Sequence, residues 1–259
     1  MLFNMKRRRV LVAVVFPVVS LGWACAPSRA VVQPAPAAVQ SAAGEKSPTK
    51  ELRWVRGSAE FRAIEIQTYR AALEAATRAS AGRPAGSWAV AVDADETIID
   101  NSGYEAGLQR QGAVHTDAAW RAWVKGHERV ALPGAKEFLS GVRQLGGRIA
   151  VVSNTEQALC ADLATDLDRL GLPYDVLLCS RGPEEERKEE RWRSIEEGTA
   201  RPDLGKLEIL VWVGDNIQDF PGKSQSLREL GVEGFADFGV RYFALPNPIY
   251  GSWEKNANR

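Results

Sequence analysis

The sequence predicts an α/β fold, a parallel sheet covered on both faces by helices. Two observations carry that reading. Short uninterrupted apolar runs occur at 88–92, 148–152, 175–178 and 207–213, the pattern of strands buried on both faces. Segments with apolar residues at helical spacing lie before and between them, which is the βαβ rhythm of a doubly wound sheet.

Taken in order, the first 25 residues form an export signal. Lys6, Arg7, Arg8 and Arg9, with no acid nearby, precede an apolar run at 10–22. Such a run spans about 20 Å as a helix, short of the roughly 30 Å hydrocarbon core of a bilayer. Two processing readings stay open at its end. Leu21-Gly22-Trp23-Ala24 before Cys25 is similar to a lipoprotein cleavage box, with Cys25 as the lipidation site, whereas Ala24-Cys25-Ala26 fits an ordinary A-x-A site. Residues 26–50 are rich in Ala and Pro and lack periodicity, so they form a flexible tether. The protein is therefore expected to be exported, either periplasmic or anchored at the outer membrane, with 51–259 as one folded domain.

Within that domain, Phe61, Ile64, Ile66, Tyr69, Leu73 and Ala76 predict a helix over 58–81, with Ser58 as its N-cap. The strand at 88–92 follows. Helices at 135–145, 156–170 and 184–197 then alternate with the strands at 148–152, 175–178 and 207–213.

Composition excludes several classes. With 45% hydrophobic and 25% charged residues the chain is neither disordered nor collagen-like. Its 33 bases balance 33 acids, which gives no argument for a nucleic-acid polymer as partner. Loss of the signal removes four bases and no acid, leaving 29 against 33 and a net charge of about −4. Such a body must bind anions through local groups rather than a general positive field. Cys160 and Cys179 form no C-x-x-C pair and are accompanied by only two histidines, His115 and His127, which argues against a zinc site. Two buried thiols are expected, and both histidines are placed at the surface or in loops. The sequence specifies no oligomeric state.

The chemistry lies at the strand ends, where open α/β sheets bind ligands. The first run ends in Asp93-Ala94-Asp95, the second in Ser153-Asn154 and the last in Gly214-Asp215-Asn216. Extended backbone would turn Asp93 and Asp95 the same way, and Asp215 would join them from a third strand. Three converging carboxylates need protons or a cation, and with no histidine beside them Mg²⁺ fits best.

Several motifs together carry a family resemblance. DADETIIDNS at 93–102 resembles the first signature of the haloacid dehalogenase (HAD) superfamily, in the variant of the class C bacterial acid phosphatases, the lipoprotein e family of 5′-nucleotidases. VVSN at 151–154, Lys188 within KEERW, and VGDNIQDF at 213–220 resemble the second, third and fourth signatures in order. LPNPIYGSWE at 245–254 resembles that family's C-terminal signature.

The resemblance implies a HAD-like Rossmannoid sheet with a small helical cap, and a phosphatase acting on small-molecule phosphomonoesters. It implies Asp93 as nucleophile and Asp95 as general acid and base. Ser153, Asn154 and Lys188 would bind phosphate. Mg²⁺ would sit on Asp93, Asp95 through its carbonyl, and Asp215, with Asp219 a further acidic partner for the ion or for Lys188. Trp120 and Tyr250 would sandwich a nucleobase, whereas Trp123 is expected as a core anchor. Glu96, Thr97 and Asp100 are expected to shape the turn. Thr155 departs from the family, where a basic residue often follows the asparagine. Two competing classes are an exported ligand-binding surface lipoprotein on the same scaffold and a D-x-D transferase. The intact Asp93 opposes the first, and Ser153, Lys188 and Asp215 are unexplained by the second.

Overall fold

The computed structural model describes residues 47–182 and 187–257. The expected export signal, Cys25, most of the tether and the start of the helix expected at 184–197 lie outside them. Among the described residues no helix is long and apolar enough to cross a membrane.

A short helix not anticipated from sequence, α1 (Lys50–Gly57), starts where Thr49 accepts a hydrogen bond from the Leu52 N–H. Its Trp54 ring meets Phe61 edge-on at 5.3 Å. Helix α2 (Ala59–Ala79) begins at Ser58, whose hydroxyl accepts from Phe61 N–H, as the N-cap reading required. The stripe it buries contains Phe61, Tyr69, Ala72 and Ala76, and also Glu65, which is fully buried.

The sheet is parallel throughout, in the order β5-β4-β1-β6-β7. Its strands are β1 (Trp88–Val92), β4 (Arg148–Glu156), β5 (Val176–Ser180), β6 (Glu208–Gly214) and β7 (Tyr242–Ala244). The sequence reading found four of these within a few residues and missed β7, only three residues long. Alternate residues of the strands serve opposite faces, except in β6, where a register shift leaves Leu210 and Val211 on the same side. Val90, Val92, Ile149, Val151, Val211 and Val213 pack with Tyr69, Phe138, Leu139, Leu163 and Leu167 of α2, α5 (Ala135–Gln144) and α6 (Cys160–Leu170). Ala89, Ala91, Ala150, Val152, Ile209 and Trp212 pack with Trp192 and Ile195 of α7 (Glu189–Glu196) and with Phe220 and Tyr242. Every strand residue of β1 is buried, which explains the absence of polar alternation in its sequence.

From β1 the chain builds β4 and β5 on one side, then β6 and β7 on the other, so the topological switch point falls at β1. Val92 is level with both Val151 and Val213, and this register brings the polar strand ends to one edge. The connection from β1 to β4 carries the cap. A two-stranded antiparallel ribbon of β2 (Ile99–Asp100) and β3 (Val130–Ala131) closes its base, and α3 (Ser102–Gln111) and α4 (Asp117–Gly126) lie between.

The expectation of two free thiols is corrected: Cys160 and Cys179 form a disulfide, with Cα atoms 5.9 Å apart. A spacing of 19 residues is silent on this. The parallel β4–α6–β5 crossover decides it, because α6 starts at the edge of the sheet where β5 ends.

Candidate active site

The backbone turns sharply after β1. Asp93 N–H still bonds Val213 C=O (3.0 Å), while the Ala94 carbonyl accepts from Ile98 (2.9 Å) and Ile99 (3.0 Å). Glu96 adopts φ 52° in this turn, and its carboxyl accepts from Asn101 N–H at 2.8 Å. Burial, then Asp95, Asp215 and Asp100, pushes the Glu96 carboxyl well above the usual range. Glu96 thus shapes the turn. Thr97 does more than the sequence suggested, because its hydroxyl donates to Asp215 Oδ1 (3.1 Å) beside Asp93 Oδ2 (3.5 Å).

On β6, Gly214 precedes Asp215, and a turn at Ile217–Asp219 folds Asp219 back so that it accepts from Asn216 N–H at 2.9 Å. A Cβ on Gly214 would lie 2.3 Å from Asp219 Cβ, so only glycine permits this approach. Asn247, in the C-terminal segment, donates to Asp215 Oδ2 at 2.8 Å. Carboxylate oxygens of Asp93, Asp215 and Asp219 come within 4.8 Å of one another. Burial raises all three. Asp219 is pushed up to about 6 and Asp215 well above the carboxylate range, while Lys188 opposes the rise at Asp93.

Lys188 caps the N-terminal end of α7 and is 2% exposed, so it is no solvated helix residue. Its ammonium contacts Asp93 Oδ1 and lies 2.8 Å from Asp219 Oδ1. Burial alone would lower its proton affinity, and the two carboxylates outweigh that and raise it. One turn on, Arg191 donates to Ser153 C=O (2.5 Å) and Asn154 Oδ1 (2.6 Å), and Trp192 anchors the helix in the core.

Asp95 corrects the expected carboxylate trio. Its side chain does not join Asp93 and Asp215; Asp219 takes that place. Strand β1 stops at Val92, so two-residue alternation does not extend across the turn. Asp95 Oδ1 accepts from Asn101 Nδ2 (2.9 Å) and Oδ2 from Thr155 Oγ1 (3.1 Å). Arg129, wholly buried and bonded to Asp166, lies 3.6 Å from Oδ1. No local pattern marked Arg129 or Asp166, since the pair meets only through the fold. Ser153 is buried, its hydroxyl donating to Thr155 Oγ1 at 3.0 Å.

In the cap, Trp120 packs edge-on against Tyr104 at 5.3 Å and lies 6.3 Å from His115. Tyr250 is half-buried in the loop held by Asn247. Among the described residues no ring contact joins Tyr250 to Trp120. The Trp123 indole donates to Asn101 Oδ1 at 3.0 Å. An open cavity of about 700 Å³ beside the site is lined by Asn154, Glu156, Ser180 and Arg181. His115 is exposed, and His127 binds Asp166 at 3.1 Å at the end of α4.

An acidic cluster with a buried lysine at the switch point of a parallel α/β sheet is suited to binding a phosphoryl group. Comparison with known proteins identifies the family. The family model described as "HAD superfamily, subfamily IIIB (Acid phosphatase)" matches residues 18–253, and the chain belongs to that family. Two solved structures of the class C acid phosphatase from Bacillus anthracis are similar, at 27% and 28% identity and a TM-score of 0.69. Each alignment covers 79% of this chain and 85% of the other, and one of these structures has tungstate bound. The protein is a class C acid phosphatase of the HAD superfamily and hydrolyses phosphomonoesters. HAD phosphatases generally use a divalent metal, and the clustered carboxylates offer only hard oxygen donors.

Proposed function

We propose that this acid phosphatase uses Mg²⁺ and an aspartyl-phosphate intermediate to hydrolyse nucleoside 5′-monophosphates. The observation that carries the reading is the geometry: three largely desolvated carboxylates, Asp93, Asp215 and Asp219, converge with the ammonium of buried Lys188 on Asp93 and Asp219. Their oxygens lie within 4.8 Å of one another, close enough to converge on one small hard cation that takes oxygens at about 2.1 Å. Asp93, Asp215 and the Asp95 carbonyl would hold the ion, with Asp219 shared between the cluster and Lys188. Bound there, Mg²⁺ supplies charge that offsets repulsion between the Asp93 carboxylate and an anionic phosphate.

The residues act in two steps. Asp93 attacks phosphorus, and the bond to the leaving oxygen breaks. That oxygen keeps the electron pair and takes a proton from Asp95. Water then attacks the phosphoryl group, gives its proton to Asp95, and releases phosphate from Asp93. Lys188, Ser153 and Asn154 hold the phosphoryl oxygens as charge spreads. The relative's tungstate, a tetrahedral oxyanion, supports a phosphate pocket of this kind. Trp120 and Tyr250 are the proposed base-stacking pair.

Residues 1–25 would direct export, 26–50 would tether the 51–259 domain, and a lipid on Cys25 would hold it at the outer membrane. Labelling cells with a fatty-acid analogue tests the last point. Purified 51–259 should release phosphate from nucleoside monophosphates at mildly acidic pH with Mg²⁺ and lose this with chelator. Trp120→Ala should raise KM for nucleotides far more than for p-nitrophenyl phosphate. Equal effects would remove the stacking role, and metal-independent turnover would remove Mg²⁺.

A further inference from the structure

We propose that Trp123 of the cap is a positioning residue for Asp95, acting through the side-chain amide of Asn101. The inference rests on Asp95 being the general acid of the proposed reaction. The indole Nε1 donates to Asn101 Oδ1 at 3.0 Å, and Asn101 Nδ2 donates to Asp95 Oδ1 at 2.9 Å. An indole N–H only donates, so it fixes the asparagine carbonyl toward the cap and thereby turns the NH₂ toward Asp95. Asn101 Nδ2 also reaches Glu96 Oε2 at 3.4 Å, and without the indole the amide loses the bond that fixes its oxygen, so its hold on Asp95 Oδ1 loosens.

Three further features show a seat built for this contact. Asn101 is 1% exposed, so water does not replace a lost partner. Gly103, on α3, has no side chain where the ring lies, and a Cβ there would come within 2.8 Å of Trp123 Cη2. The second Asp95 oxygen accepts from Thr155 Oγ1 of β4 at 3.1 Å. The carboxyl is thus held from the sheet at one oxygen and from the cap at the other. Trp120 lies three residues earlier on the same helix, so the element proposed to meet the leaving group also aims the proton that the leaving oxygen takes.

A general acid matters most when the leaving oxygen is strongly basic. Trp123→Phe, which keeps an aromatic ring but loses the N–H, should therefore be assayed on phenyl, p-nitrophenyl and 2,4-dinitrophenyl phosphate, with orthovanadate inhibition reporting the phosphate pocket. For phenyl phosphate kcat/KM should fall about tenfold, while 2,4-dinitrophenyl phosphate changes less than about twofold. Vanadate inhibition should stay the same. Trp123→Phe added to Asn101→Ala should cost nothing further, because the pair acts as one unit. Gly103→Ala, which displaces the ring and keeps its N–H, should steepen the leaving-group dependence in the same way. A uniform fall across the three esters, or additive losses in the double variant, would overturn the positioning role alone. Absence of turnover in the unsubstituted protein would overturn the proposed reaction and this role with it.

Discussion

Replacing Lys188 by Met tests the electrostatic logic of the site most directly. The substitution keeps an unbranched stem where Lys188 is only 2% exposed and removes the ammonium that contacts Asp93 and Asp219. Taking away one partner of a buried ion pair costs about 3–5 kcal/mol, because the remaining charges stay desolvated. These carboxylates can escape by taking up protons. Burial pushes the Asp219 carboxyl up to about 6, and Lys188 lowers the proton affinity of Asp93, Asp215 and Asp219. Their folded-state values lie above the unfolded aspartate value, so the stability they confer is present below about pH 4. For Asp219 it is lost as pH rises through about 6. Loss of Lys188 raises the folded values further, so the deficit must widen with pH. Melting in chelator should show the variant near the wild type at pH 4 and about 10 °C below it at pH 7. Turnover at pH 6 should fall at least about a hundredfold. A melting deficit of equal size at both pH values, or one larger in acid, would refute the reasoning.

Other consequences follow from the same geometry. Asp93→Asn should abolish phosphate release while circular dichroism and melting stay close to wild type. Mg²⁺ at about a hundred times its Kd should stabilise the protein by about 2.7 kcal/mol over chelator, and Asp215→Asn should reduce that gain in thermal melts. Glu65, with both oxygens buried and no hydrogen-bond partner among the described residues, is pushed up to about 8, mainly by burial. Glu65→Leu should therefore stabilise by about 1–3 kcal/mol. The gain should grow between pH 4.5 and about 8, as the wild type loses the stability tied to the protonated acid. Replacing Cys160 and Cys179 together by Ser opens a loop with a sequence separation of 19. Denaturant unfolding should then show a loss of about 3 kcal/mol, with activity retained below the new melting point.

The four longer strands, Ser58 as a helix cap, and the acidic strand ends were legible from sequence because each is local. Apolar runs record burial on both faces, and a cap is a contact between residues three apart. Asp93, Asp215 and Lys188 were legible as members of a known pattern, although Lys188 alone looked like part of a solvated charge run. Its burial depends on α7 docking against β4 and β6, which no window around KEERW contains. The cap was expected to be helical only through the family resemblance; the bounds of α3 and α4, and helix α1 altogether, were not assigned from the sequence. They are held by packing to distant parts of the chain.

The amino-acid sequence by itself determined the α/β class, the strand that leads into Asp93, and the stock of hard oxygen donors without histidine partners. Tertiary structure decided how those groups are shared out. It placed Asp219 with Asp93 and Asp215, turned Asp95 toward Asn101 and Thr155, and joined Cys160 to Cys179. The reason is that periodicity holds only while the backbone stays regular. After Val92 the chain turns, and from there the neighbours of each side chain are set by strand register and crossover, not by its place in the sequence.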